Sequence, residues 1–236
     1  MKPPVFHRIT DYDRARLPNA YLAEMDSGVS SQDEWEAKTG KSIGYPAWAL
    51  LYYMTLCRVP PTHPSLVIET GTNLGFSSIV LGQAVADAGG GGAVKTVELD
   101  SERRLVAKSN IEKAGLSDTV ETFCGDALEQ LPVMLDDDRP LVVAFLDGNH
   151  LYEHVLKEFE LVHDRLEEGG VVIFDNTYRI ADDNGDPRVN GALRAILDRW
   201  GGNVVDFPFC SWYTPGMAVW QKRPYEDMSV PVWPRG

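Results

Sequence analysis

The sequence predicts one α/β domain built on a doubly wound, mostly parallel sheet of seven strands with helices on both faces. Short apolar runs alternate along the chain with longer amphipathic stretches, which indicates strands separated by helices. The runs are continuously apolar, as is typical of parallel strands that are covered on both faces. A chain of 236 residues has the length of one large domain.

The bounds of each predicted element follow from the alternation between short apolar runs and longer amphipathic stretches. The predicted strands are Leu66–Thr70, Val94–Leu99, Val120–Gly125, Leu141–Asp147, Val171–Asp175, Asn203–Pro208 and Gly216–Lys222. The predicted helices between them are Ser77–Ala88, Ser101–Ala114, Ala127–Leu135, Leu151–Glu168 and Val189–Trp200. The last two strands are joined by a connection too short for a crossover, so we expect the last strand to be antiparallel.

The N-terminal part differs in composition from the rest. Residues 1–44 are polar, with helical patches at Tyr12–Met25 and Asp33–Lys38, and we expect them to cap the same domain. The run Ala47–Met54 is apolar nearly all round, which predicts a buried helix. The main domain is therefore expected over residues 45–222, followed by a C-terminal tail at 223–236.

Charge and cysteine content narrow the class of partner. The 22 Lys and Arg against 35 Asp and Glu give a net charge of -13, which disfavours nucleic acid and membrane surfaces. Cys57, Cys124 and Cys210 form no CxxC pair, so a disulfide framework and a thiolate zinc site are not indicated. No secretion signal or membrane span is recognised, and a cytoplasmic enzyme is expected. A homodimer is the default expectation for such a domain.

Acidic residues stand at or just beyond the ends of five successive predicted strands. They are Glu69, Glu98, Asp126, Asp147 and Asp175. Any one of them could simply cap the following helix. Parallel strands end at one edge of the sheet, where open α/β sheets bind their ligands, so the series predicts a functional rim.

The first strand runs into a glycine turn. Gly71 permits a sharp turn with positive φ, Gly75 permits close packing of the helix, and the helix then begins near Ser77. The first turn of that helix presents free N–H groups to an anion. Three residues separate the glycines, which argues against a dinucleotide fingerprint, although a purely structural turn is an equal alternative.

This motif, acid-x-Gly-x-x-x-Gly after the first strand, resembles that of the class I methyltransferases that use S-adenosylmethionine (SAM). The resemblance covers roughly residues 44–222 and implies a Rossmann-like fold. It implies that Ser77 meets the carboxylate of SAM, that Glu98 accepts hydrogen bonds from the ribose, and that Asp126 lies near the adenine unless it only caps a helix. The cofactor residues implied are Glu69, Gly71, Asn73, Gly75, Ser77, Glu98, Leu99, Asp126, Ala127 and Asp147.

Two later strand ends suggest a metal site. Asp147 ends one strand, and the pair Asp175 and Asn176 ends the next, so their oxygen atoms form a set that suits Mg²⁺ or another divalent cation. The pattern resembles the metal-dependent catechol and caffeoyl-CoA type O-methyltransferases and the macrolide-sugar O-methyltransferases. The resemblance implies methyl transfer to a hydroxyl of a small molecule, such as a phenol, a sugar or another natural product.

The sequence departs from the catechol type at His150, where those enzymes carry a lysine. His150, beside Asp147, is predicted to be the general base, with Tyr152 and His154 as alternatives and a structural role also open. Tyr178, Arg179, Trp212 and Tyr213 are candidates for the acceptor pocket.

Three other functions stay open at this point. The first is a metal-independent methyltransferase of the same fold, and the second is a hydroxylase-like relative. The third, more distant, is a nicotinamide-dependent dehydrogenase, which would need a tighter glycine fingerprint.

Overall fold

The computed structural model describes residues 19–44, 47–177, 185–207 and 216–222. Seven strands lie within these residues: β1 Leu66–Thr70, β2 Ala93–Glu98, β3 Val120–Cys124, β4 Leu141–Leu146, β5 Leu166–Asp175, β6 Asn203–Phe207 and β7 Met217–Gln221. The helices are α1 Ala20–Asp26, α2 Gln32–Thr39, α3 Ala47–Arg58, α4 Phe76–Ala88, α5 Ser101–Lys113, α6 Ala127–Met134, α7 Tyr152–His163 and α8 Arg188–Trp200.

The strands form one sheet in the order β3-β2-β1-β4-β5-β7-β6. Strands β1 to β5 pair in parallel, and β7 is antiparallel to both β5 and β6. The predicted fold class is therefore confirmed, including the reversed last strand. The chain winds outward from β1 to β3 and then restarts at β4 on the other side of β1. A crevice for ligands forms at such a switch point.

Two apolar layers cover the sheet. Helices α3, α4 and α5 pack on one face, and helices α6, α7 and α8 pack on the other. Successive residues of β5 alternate between the layers, since Ile173 belongs to the first and Phe174 to the second. Both faces of the sheet are thus buried, which explains why its central strands are apolar without alternation.

Helix α7 is shorter than predicted, and this part of the prediction is wrong. The helix ends at His163, and Leu166 lies in β5, where it pairs with Leu141 of β4. Leu166 continues the helical spacing of Val155, Phe159 and Val162, so the apolar period alone could not locate the end. Pairing with β4 decides the conformation, because it gives the backbone of Leu166 partners in the sheet.

The N-terminal segment packs against the carboxyl edge of the sheet. Leu22, Trp35 and Ile43 are buried in the same apolar layer as Phe76. Asn73, in the loop after β1, donates from Nδ2 to the carbonyl of Gly40 at 2.7 Å. These contacts agree with a cap on the same domain, which stays a prediction, as do the boundaries at residues 44 and 222.

Several predictions fall outside the described residues. They concern residues 1–18, the acceptor-pocket candidates Tyr178, Arg179, Trp212 and Tyr213, and the tail at 223–236. Among the described helices, none has the length and apolar character needed to cross a membrane.

Candidate active site

A cavity of about 1150 Å³ opens at the switch point, above the carboxyl ends of the central strands. Small-molecule sites are clefts of about 300 to 1,000 Å³, so the space suffices for two ligands of modest size. The predicted site residues in its wall are Gly71, Asn73, Ser77, Glu98, Leu99, Asp126, Ala127, Asp147, His150, Asp175 and Asn176. The fold therefore brings together side chains from five loops.

Gly71 allows the loops after β1 and β4 to touch. Its φ is +84°, and a Cβ atom there would lie 2.2 Å from the carbonyl oxygen of Asp147. Any side chain would clash with that backbone, and the left-handed conformation is itself unfavourable for other residues. Glycine is thus required for the close approach that forms the floor of the cavity.

The N-terminus of α4 is open towards the cavity. Its N-cap is Gly75, which has no side chain to accept from the first turn, whereas Asp100 and Asp126 cap α5 and α6 with their carboxylates. The N–H groups of the first turn are orphan donors at the positive end of the helix dipole. With Ser77 in the cavity wall, this end can bind a carboxylate.

Glu98 is held in a fixed orientation at the end of β2. One carboxylate oxygen accepts from the backbone N–H of Asn73 at 2.7 Å, and the other accepts from that of Asp100 at 3.0 Å. The residue is buried apart from its cavity side. Its remaining lone pairs can accept from a pair of hydroxyl groups. Leu99 follows as an exposed apolar side chain.

Asp126 caps a helix and also lies in the cavity wall. Its Oδ1 accepts from the backbone N–H of Leu128 at 2.8 Å and so caps α6. Asp126 and Ala127 also line the cavity on the side of β3. The capping bond uses one oxygen, and the other can accept from a ligand.

The structure does not bring Glu69 or Gly75 to the cavity wall. Glu69 is fully buried and accepts hydrogen bonds from the hydroxyls of Ser78 and Thr96, so it lies beneath the floor. Burial raises the pKa of Glu69, whereas the hydroxyl groups that are hydrogen-bonded to it act to lower that pKa. Gly75 faces Ala107, whose Cα would lie 3.2 Å from a Cβ there. Glycine is needed at position 75 so that α4 can pack closely against α5.

Asp147, His150, Asp175 and Asn176 form one cluster at the ends of β4 and β5. The Nε2 atom of His150 lies 3.2 Å from Oδ1 of Asp147, and Nδ2 of Asn176 lies 3.1 Å from each ring nitrogen. One potential ligand atom from each of Asp147, His150 and Asp175 lies within 4.8 Å of the others. Adjacent pairing of β4 and β5 produces this convergence.

The two carboxyl groups of the cluster both have raised pKa values. Burial raises the pKa of Asp147 to about 8, and the nearby charges of Glu69 and Glu158 act in the same direction. Burial and the neighbouring Asp147 raise the pKa of Asp175 well above its ordinary value. Each carboxyl group lies close enough to affect the pKa of the other, as expected when two like charges share a site.

Sequence reasoning named His154 as an alternative base but missed its buried partner, Glu158. Nε2 of His154 lies 3.2 Å from Oε1 of Glu158, and Thr70 donates to the other carboxylate oxygen at 3.1 Å. Glu158 is buried, and His154 lines the cavity. The signal was the spacing of four between His154 and Glu158, which places both on one helix face.

A further part of the wall was also missed. Residues of α2 and the loop after it, including Glu36 and Lys41, line the cavity. Their sequence carries no motif, and only the packing of the N-terminal segment on the sheet edge reveals their position.

Comparison with known proteins agrees with this architecture. Residues 68–177 match the family model described as "Methyltransferase domain". A catechol O-methyltransferase of Mycobacterium tuberculosis is 33% identical over 113 residues, which are 48% of each chain. One of Niastella koreensis is 29% identical over 145 residues, covering 59% of this chain and 63% of the relative. The chain thus spans between about half and two thirds of these relatives.

Solved structures share the fold over more of the chain. An O-methyltransferase from Bacillus cereus in complex with SAH has a TM-score of 0.70 at 24% identity, and the match covers 87% of this chain and 91% of that one. TomG from Streptomyces achromogenes, in complex with SAM, has a TM-score of 0.68 at 22% identity, with 87% and 90% covered. At these identities the likeness concerns the fold.

The fold, the glycine turn and these matches agree with one another. Residues 68–177 match a methyltransferase domain, and these matches support the resemblance to class I SAM-dependent methyltransferases that the sequence indicates.

Proposed function

We propose that this chain transfers the methyl group of SAM to a hydroxyl of a small molecule, with a divalent metal ion at Asp147, Asp175 and Asn176. One observation carries the proposal. A single cavity joins the open N-terminus of α4 and the oriented carboxylate of Glu98 to the carboxylate cluster. Two reactants bound at these ends would be held next to each other, and such positioning can lower a barrier by about 7 to 11 kcal/mol.

In this proposal the residues on the β1–β3 side hold SAM. Ser77 and the first turn of α4 bind its carboxylate, and Glu98 binds the ribose hydroxyls. Asp126 and Ala127 lie at the adenine, and Leu99 covers it. Glu69 is fully buried beneath the floor, so in this proposal it supports the cofactor site only indirectly, by accepting from the hydroxyls of Ser78 and Thr96.

The donor set fits a divalent ion. Two carboxylates and an amide are hard ligands, and Oδ1 of Asp175 is buried without a hydrogen-bond partner among the described residues. The ion pairs formed by these residues join no lysine or arginine to Asp147 or Asp175. A divalent ion bound there would balance the charge and make an acceptor hydroxyl more acidic.

His150 faces the same point in the cavity. Burial lowers its pKa, although Asp175 and Glu158 oppose this shift, so the ring is neutral at pH 7. A neutral imidazole has one nitrogen lone pair. It can take the proton of the acceptor, as predicted from the sequence, or bind the ion, but not both at once.

The proposal is tested by calorimetry with S-adenosylhomocysteine and by transfer of radiolabelled methyl from SAM to a panel of hydroxyl compounds. Catechol belongs in the panel, because the two curated relatives described above are catechol O-methyltransferases. We expect transfer that needs added Mg²⁺ or Mn²⁺ and stops in excess chelator. Transfer that continues in chelator would remove the metal, and absence of S-adenosylhomocysteine binding would refute the whole proposal.

The variant Asp147→Ala distinguishes the function of the cofactor end of the cavity from that of the metal end. We expect it to bind SAM with near-normal affinity and to lose methyl transfer. Loss of SAM binding together with turnover would instead place Asp147 mainly in the cofactor site.

A further inference from the structure

The position of His150 bears on which metal ion the site takes, and the reasoning rests on the proposed function. Its Nε2 atom is 3.2 Å from Oδ1 of Asp147, and it belongs to the one set of three potential ligands found among the described residues. Ligand atoms around a small divalent ion lie about 2.0 to 2.2 Å from it. Small side-chain movements would therefore bring all three onto one ion.

A second observation points to a ligand at this place. Oδ1 of Asp175 is buried and without a hydrogen-bond partner among the described residues, and the side chain is almost fully enclosed. A buried, unpaired carboxylate oxygen is costly. An ion in the centre of the cluster would remove that cost.

We propose that His150 binds the ion through an imidazole nitrogen, and that the site therefore selects a first-row transition ion such as Mn²⁺ or Co²⁺ over Mg²⁺. Magnesium is bound by oxygen ligands in near-octahedral geometry. An imidazole nitrogen suits the transition ions, for which affinity also rises along the series from Mn²⁺ to Cu²⁺.

The neighbouring amide supports this assignment. The side chain of Asn176 lies against the His150 ring, with Nδ2 at 3.1 Å from both nitrogens. Asn176 is in the left-handed region at φ +58°, which asparagine tolerates better than most residues. Because Asn176 and His150 are in contact and both line the cavity beside Asp175, both side chains can turn towards a shared ion.

The assignment also changes how the acceptor loses its proton. If the lone pair of His150 is on the ion, His150 is no longer free as the base that the sequence predicts. His154 then becomes the histidine of the cavity wall that is available to accept a proton, with Glu158 orienting it.

The test uses the full chain with Mn²⁺, Co²⁺ or Mg²⁺ alone, titrated by calorimetry, and electron spin echo spectroscopy of the Mn²⁺ complex. We expect Mn²⁺ to bind at least about tenfold more tightly than Mg²⁺ and to show modulation from a directly bound ¹⁴N nucleus. Equal affinities without ¹⁴N modulation would overturn the inference, while metal-dependent methyl transfer would still support the proposed function.

Two histidine variants test which residue supplies the nitrogen that binds the ion. His150→Gln should lose the ¹⁴N signal and about 10- to 100-fold of its Mn²⁺ affinity, whereas His154→Gln, a histidine four residues away in the same wall, should keep the signal. A signal that persists in His150→Gln would contradict the assignment.

A second variant, His150→Asp, tests the assignment if His150→Gln does not fold. It replaces nitrogen by oxygen and should still bind an ion, but with preference shifted towards Mg²⁺. Unchanged preference in this variant would count against His150 as a ligand. Failure of S-adenosylhomocysteine to bind the unmodified chain would refute the proposed function whatever the ions do.

Discussion

Partly or fully buried carboxylates at the two edges of this sheet have opposite surroundings. At the amino edge, Asp137 lies 2.8 Å from Nζ of Lys95 and 2.6 Å from Nη2 of Arg139. The hydrogen bonds from Arg139 hold the pKa of Asp137 well below its usual range. At the carboxyl edge, Asp147 and Asp175 lie beside each other and have raised pKa values.

The difference separates a structural site from a candidate functional one. The chain supplies the cations for Asp137, so this group is complete once the protein has folded. It supplies no lysine or arginine ion pair to Asp147 or Asp175 within the described residues. Carboxyl groups with perturbed pKa values in a cleft are typical of sites that act on a ligand. Each prediction below tests whether the two edges differ in this way.

The largest effect is expected for Asp175→Asn. Because this removes a charged ligand, we expect Mn²⁺ affinity and methyl transfer to fall by at least about 100-fold, since metal coordination contributes several kcal/mol. Affinity for S-adenosylhomocysteine should be nearly unchanged, as calorimetry can check. The matched control is Asp137→Asn, which should bind Mn²⁺ normally, and equal loss in both variants would abolish the distinction between the edges.

Asp137→Asn should instead affect stability. It leaves Lys95 buried without its charge partner, so we expect the free energy of unfolding to fall by about 3 kcal/mol, as measured by urea denaturation. Metal-free Asp175→Asn should be as stable as the unmodified chain or more so, because one of two repelling carboxyl groups is removed. A strongly destabilised Asp175→Asn would mean that the cluster is mainly structural.

The pH dependence of stability should differ at the two edges. The raised pKa of Asp147, about 8, means that the folded protein holds a proton that the unfolded chain releases above its ordinary pKa. Stability of the metal-free protein should therefore decrease between pH 5 and pH 8, by on the order of 4 kcal/mol.

Asp137 should make no such contribution in that range. Its lowered pKa gives stability that is present above the ordinary value near 3.9 and is lost only as the pH falls through the folded-state pKa. Urea denaturation at several pH values in chelator would measure the contributions of Asp147 and Asp137 to stability. A curve unchanged in the double variant Asp147→Asn/Asp175→Asn would show that the pair does not take up a proton on folding.

A smaller effect is expected for Glu98→Gln. Glu98 also lies at the carboxyl edge, but its oxygens accept from two backbone N–H groups and need no cation. The amide keeps the size but weakens acceptance from the ribose, so affinity for S-adenosylhomocysteine should fall about tenfold, or about 1.4 kcal/mol. Mn²⁺ affinity should not change. Unaltered cofactor affinity would refute the ribose assignment.

Much of the fold could be predicted because it depends on local periodicity. The strand at Leu66–Thr70 was predicted with its observed bounds, and the short link before the last strand correctly indicated its reversed direction. The end of α7 could not be predicted, because Leu166 satisfies the helical spacing and the pairing of β5 with β4 decides its conformation.

The sequence by itself determined which residues stand at strand ends, since acids follow apolar runs and parallel strands end at one edge. Only the tertiary structure decided where each side chain points. It placed Glu69 beneath the floor and His150 among the potential ligands, and it brought Glu158 behind His154. The physical reason is that strand order and loop contact are set by long-range pairing, which no local pattern records.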